Sequence, residues 1–136
     1  MVRAWKQWLG IGMVASFIAA TAWAQSDIVD TAYVEQALAR GAIVWDAREA
    51  ADYAEGHIPG AVNFGWVGKA FRDPNREDLP SVPEAEKSFG ATGVDPVGKE
   101  VIIYTSKGDP FAYYGVHAMQ YYGAKQAKVY HGGIDD

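Results

Sequence analysis

Two apolar runs constrain this chain more than anything else in it. Ala42–Ala47 reads AIVWDA and Val101–Thr105 reads VIIYT, each nearly unbroken by polar residues. A strand with one wet face alternates apolar and polar residues, whereas a near-continuous run marks a strand covered on both faces. Such strands belong to a parallel sheet, and parallel neighbours need a crossover between them, ordinarily a helix.

The intervening segments have helical character. DTAYVEQALARGA carries Val34, Ala37 and Leu38 on one side, a cap at Asp30 or Thr31, and Gly41 at the C′ position. REAADYAEG predicts a short helix ended by Gly56, and HIPGAVNF a turn at Pro59-Gly60 leading into another short strand. Beyond Gly65 the pattern loosens, with a short helix expected near Val67–Phe71 and a second from Glu84 to about Gly90. DPFAYYGVHAMQYYG spaces Phe111, Tyr114, Ala118 and Tyr122 by three or four along a helix, and AKVYHGG closes the chain with a strand. Strands alternating with helices give an α/β fold in three layers, a mostly parallel central sheet flanked by helices.

The first 24 residues stand apart. Arg3 and Lys6 precede an apolar run from Leu9 to Ala20, and Ala22-Trp23-Ala24 supplies a small-residue site. This is the layout of a secretory signal peptide at 1–24, cut before Gln25, with the domain at 25–136. An uncleaved anchor would want about 20 apolar residues. The expected location is periplasmic or secreted, with no stable membrane insertion after cleavage.

Arg3 and Lys6 are the only charges of the leader, so the remainder is more acidic than the net −5 of the whole chain. Nucleic acid and anionic membrane surfaces repel such a domain. There is no cysteine. Disulfides, thiolate metal sites and persulfide chemistry are thereby excluded.

The loop TSKGDP, Thr105–Pro110, follows a buried strand and opens a helix. In α/β proteins this is where an anion is held or a nucleophile placed. Thr105, Ser106, Lys107, Gly108, Asp109 and Pro110 are therefore the candidate anion-binding loop. Yet a threonine hydroxyl is a weak nucleophile without a base, and Pro110 removes an N–H donor. Asp109 suits an N-cap and Pro110 the first helical position, so the loop reads as a helix start.

Two stretches carry a resemblance. IVWDAREAADYAEGHIPGAVNF has an Asp-x-Arg after a strand (Asp46, Arg48), an acidic and aromatic helix, and Gly-His-Ile-Pro-Gly-Ala from Gly56 to Ala61. VIIYTSKGDP and VYHGGI follow at the places of an active-site loop and a closing strand. Together they resemble the rhodanese-like domain family, from about Tyr33 to Ile134. The resemblance implies a sulfurtransferase fold whose active members place a cysteine at the first loop position, here Thr105. Many members have an arginine at the sixth loop position, here Pro110, while Lys107-Gly108 match the Lys-Gly of some thiosulfate-using members. Members usually continue past the Gly-Gly turn with a tryptophan and a helix. Here the sequence stops at Asp136, so it reads either as truncated there or as leaving apolar surface bare. The second reading predicts a patch beside Val129 and Tyr130, and a domain soluble only with a partner or a longer C-terminus.

Other residues carry two readings each. Asp46 and Arg48 support a pocket or form a structural ion pair, and His57 most simply bonds its own turn. His117 and His131 with Asp135 and Asp136 contain ligand types but no ligand spacing on one element, so no metal is implied, and no cofactor either. Tyr113 and Tyr121 form an exposed stripe for a protein partner or ordinary surface beside core Tyr114 and Tyr122. Ser106 and Lys107 are too close in sequence to face each other as a catalytic pair. The resulting expectation is an exported domain without sulfurtransferase activity, serving as a binding or accessory module for a protein partner of unknown identity. The alternative is an enzyme using Thr105 or Ser106 on a small anionic ester, or a protein named sulfurtransferase through fold alone. A base near either hydroxyl favours the enzyme, and an exposed apolar patch around Trp66 and Phe71 favours the module.

Overall fold

The computed structural model describes residues 27–136 apart from 74, 76 and 77. The leader and its cut before Gln25 lie outside the described residues. Four parallel strands make the sheet: β1 (Ile28–Val29), β2 (Ile43–Asp46), β3 (Val101–Tyr104) and β4 (Ala127–Tyr130), in the order β1-β4-β3-β2. The two apolar runs pair with each other, Ile43 opposite Val101 and Asp46 opposite Tyr104. The strand expected after Pro59-Gly60 shrinks to one bridge, Val62 beside Trp45. β1, unforeseen in a polar segment, is two residues long and gives no periodic signal; it forms by adding to the free edge of β4.

Side chains alternate across the sheet. Trp45, Val101, Ile103 and Val129 face α3 (Val67–Ala70), α4 (Val82–Thr92) and α5 (Phe111–Tyr121). Val44, Ile102, Tyr104 and Tyr130 face the other way, onto α1 (Thr31–Ala39) and α2 (Ala50–Glu55). This is the three-layer α/β architecture expected. Trp45 anchors the first face, its ring stacked 4.3 Å from Phe64 and edge-on to Phe71 at 5.4 Å.

Local chemistry sets the helix ends. Asp30 Oδ1 accepts from Tyr33 N at 2.9 Å, so Asp30 is the α1 cap. α4 starts two residues before the expected Glu84 because Ser81 and Glu84 form a capping box, Ser81 N donating to Glu84 Oε2 at 2.9 Å. α5 buries Ala112, Gly115, Val116, Ala118 and Met119, leaving the expected Phe111, Tyr114 and Tyr122 half-buried at its flank. A Cβ on Gly115 would lie 2.9 Å from Ile103 Cγ2, so this glycine lets α5 press onto β3.

Val129 and Tyr130 are themselves 2% and 4% exposed, and among the described residues the large apolar side chain left open beside them is Ile28 alone, at 49%, so the broad bare patch expected there does not form. β1 covers the edge of β4, Ile134 packs on the same cluster as Tyr130, and Tyr130 OH bonds Thr31 Oγ1 at 2.8 Å. The solubility argument built on that patch loses its ground with it. Phe71 is likewise fully buried and Trp66 half-buried, so no exposed apolar patch forms around that pair.

Candidate functional site

β2 ends on Asp46, which shares the face of Val44 and is fully buried. Its carboxylate meets a fork from Arg48, Nε to Oδ1 at 3.0 Å and Nη2 to Oδ2 at 2.7 Å, with Arg48 N also donating to Oδ1 at 3.1 Å. Tyr104 OH donates to Oδ2 at 2.7 Å and itself accepts from Ile58 N at 3.1 Å. Arg48 Nη2 reaches on to Gly56 O at 2.7 Å. A buried carboxylate is tolerable only when paired and bonded in this way. The Asp46 hydrogen bond holds the Arg48 pKa above its ordinary value, and burial, then Asp46, raises the Tyr104 phenol. The guanidinium is thus spent on tying β2 and β3 to the Gly56–Ala61 turn. His57 joins that turn, Nδ1 lying 2.9 Å from Tyr53 O and its ring stacked 3.8 Å from Tyr53.

The loop after β3 is closed by its own chain. Thr105 is 1% exposed, and its hydroxyl donates to Ser106 O at 3.3 Å. Asp109 N donates to Ser106 O at 3.1 Å, and Asp109 Oδ1 accepts from Phe111 N at 2.8 Å. Pro110 has helical dihedrals and no N–H to offer. Lys107 N donates to Asp135 Oδ2 at 2.7 Å, and Lys107 Nζ to Asp136 Oδ1 at 2.6 Å. The Asp136 hydrogen bond raises the Lys107 pKa. Asp135 ends a 3-10 segment after β4, Gly133–Asp135, and Asp136 follows it. Ile134 N donates to Thr105 O at 3.0 Å, and a Cβ on Gly133 would stand 2.3 Å from that same oxygen. With φ at +66° as well, only glycine allows this approach.

Beside the loop lies a cleft of about 300 Å³ lined by Arg48, Glu49, Asp52, Trp66, Ser106 and Asp109. Three carboxylates face one guanidinium that Asp46 already holds, so the cleft disfavours a small anion. Among the described residues no histidine or carboxylate is hydrogen-bonded to Thr105 Oγ1 or Ser106 Oγ. Lys107 Nζ goes to Asp136 and forms no pair with Ser106. His131 Nδ1 lies 2.8 Å from Tyr113 OH, His117 is exposed on α5, and no group of three metal-ligating side chains forms among the described residues. Tyr104 and Asp135 were missed as partners of the site. Tyr104 hid inside an apolar run, and the reach of Asp135 is a long-range contact without a local signal.

The sequence profile of the Rhodanese-like domain matches residues 30–136. Two curated relatives carry the name "Putative thiosulfate sulfurtransferase". One from Haloferax volcanii is 29% identical over 61% of this chain and 28% of its own length. The other, from Saccharopolyspora erythraea, is 30% identical over 78% of this chain and 38% of its own length. The chain thus spans well under half the length of either. Among solved structures, a human single-domain sulfurtransferase superposes with a TM-score of 0.61 at 19% identity, covering 82% of this chain and 94% of that one. SseA from Escherichia coli, described as a 3-mercaptopyruvate sulfotransferase, gives 0.62 at 28% identity over 82% of this chain and 43% of that one. With the profile spanning β2 to β4, the Asp46–Arg48 turn and the loop alike, this chain belongs to the rhodanese-like domain family.

Proposed function

We propose that this protein is an exported rhodanese-like domain that does not transfer sulfur and serves as a binding module for another protein. The observation that carries the reading is Thr105. By the sequence resemblance it stands at the position of the family nucleophile; it is 1% exposed and directs its hydroxyl at a neighbouring carbonyl with no base bonded to it. A persulfide forms when a thiolate sulfur bonds the outer sulfur of a donor, and this chain has no thiol. The loop's Lys107, Asp109 and Phe111 amides are taken by internal acceptors, and the adjoining cleft is acidic. The hydroxyl-nucleophile reading lacks the base that would support it. Export rests on the leader sequence alone, and an acidic domain suits a protein partner better than a polyanion.

The test is thiocyanate formation from thiosulfate and cyanide by the purified protein. Production no faster than buffer is expected, and turnover that survives purification to homogeneity overturns the reading.

A further inference from the structure

Four large apolar side chains are exposed among the described residues, and three of them line one groove: Val82 at 53%, Val97 at 55% and Tyr121 at 66%. The groove measures about 560 Å³ and lies between α4 and the turn that ends α5, with Phe89 and Val94 in its floor. It is formed where α5 ends, whereas the Thr105–Pro110 loop sits where α5 begins. Its aromatic wall is fixed in advance. Tyr121 stands edge-on to Tyr122 at 5.1 Å, Tyr122 edge-on to Phe89 at 5.7 Å, and Tyr122 OH donates to Pro80 O at 2.7 Å. A preformed wall spares a ligand the cost of ordering it.

The charge of the groove is one-sided. Its acidic lining residues are Glu86 and Asp95, with no lysine, arginine or histidine among the lining. Asp95 is held in place, Oδ1 accepting from Val97 N at 3.0 Å and Gly98 N at 2.9 Å. From Val82 to Gly90 the α4 wall runs about 12 Å at 1.5 Å per residue, the length of two helical turns. We propose that this groove docks a short amphipathic helix of a partner protein, its apolar face filling the groove and a lysine or arginine meeting Glu86 and Asp95. The apolar floor asks for aliphatic anchors at helical spacing, the two carboxylates ask for a cation, and an exposed tyrosine is a frequent energetic centre of such contacts. A second copy of this chain fits worse, because it is net acidic like the groove and would set carboxylates against Glu86 and Asp95. The inference rests on the binding-module reading and names the kind of partner.

The probes are two amphipathic peptides of about 14 residues, one of leucine and lysine and one with glutamate at every lysine, titrated into the purified protein by NMR. The lysine peptide should shift the Val82, Val97 and Tyr121 amides, and the glutamate peptide should not. Tyr121→Ala should weaken the lysine peptide about fivefold or more. Glu86→Lys should weaken it too and admit the glutamate peptide. Both positions are exposed, so an unchanged melting temperature certifies the fold of each variant. Absence of binding, equal binding of both peptides, shifts mapping elsewhere, or self-association abolished by Tyr121→Ala overturns the proposal. Thiocyanate formation by the same preparation separates the two failures. Without it, a negative titration removes only this partner; with it, the binding-module reading goes as well.

Discussion

Lys107 N donates to Asp135 Oδ2 at 2.7 Å, so a side chain from beyond the last strand fills a loop amide that faces anions elsewhere in α/β proteins. The carboxylate arrives with the backbone around it, since Ile134 N is bound to Thr105 O and Gly133 lies against the same carbonyl. The loop and the turn therefore hold each other.

Asp135→Ala should free that amide. Hydrogen exchange at Lys107 should accelerate, and the melting temperature should fall by a few degrees, the effect of losing a hydrogen bond worth about 1 kcal/mol. An exchange rate equal to that of the unaltered protein would mean the contact is not maintained in solution.

Asp109 bonds into the start of α5, its Oδ1 accepting from Phe111 N at 2.8 Å, although the helix begins one residue later than expected, with Pro110 and not Asp109 at the cap position. Asp109→Ala should cost about 1 kcal/mol and a few degrees of melting temperature. An unchanged melt accompanied by loss of a measured activity would make it a functional residue.

The Asp46 network should be the most sensitive polar feature of the fold. Asp46→Ala leaves the Arg48 guanidinium, whose side chain is 13% exposed, without its partner. Breaking a buried pair from one side costs about 3–5 kcal/mol. Tyr104→Phe removes one donor from Asp46 and one acceptor from Ile58 N, for about 1–3 kcal/mol. Urea unfolding of both variants measures this; a loss below 1 kcal/mol for Asp46→Ala would contradict the network's structural role (about the size of a surface pair).

The sheet was legible because covered strands must be apolar on both faces, which AIVWDA and VIIYT are. The Asp-x-Arg and Gly-His-Ile-Pro-Gly-Ala pair was legible as short local motifs, within which Arg48 bonds Asp46 and His57 bonds Tyr53. β1 was not, since two residues carry no period and Ile28–Val29 becomes a strand only beside Val129 and Tyr130. The lack of a thiol is plain in the sequence, but the loop's closure by Asp135 is not, because that contact spans 28 residues.

Alkaline pH should loosen the fold through its desolvated phenols, the buried Tyr104 and the half-buried Tyr122. Burial pushes Tyr122 up to about 12 and raises Tyr104 as well. A raised folded-state pKa means the contribution is whole below the unfolded value and lost as pH rises through the folded one. Stability should therefore decline from about pH 10, the ordinary phenol value, through about 12. Tyr122→Phe should remove part of that slope in melting temperature against pH. All eight tyrosines ionising near pH 10 with the fold intact would contradict the burial of these two.

The central claim is that the Thr105–Pro110 loop neither accepts nor passes on sulfur. Intact-mass measurement after incubation with thiosulfate tests it most directly, on the unaltered protein and on Thr105→Cys. The account predicts no gain of a sulfur atom by the first. It predicts at most a trace by the second, because Lys107 N remains bound to Asp135 and Pro110 still offers no donor. A stoichiometric gain of one sulfur atom by the unaltered protein, or ready loading of Thr105→Cys with release of thiocyanate on adding cyanide, would contradict it.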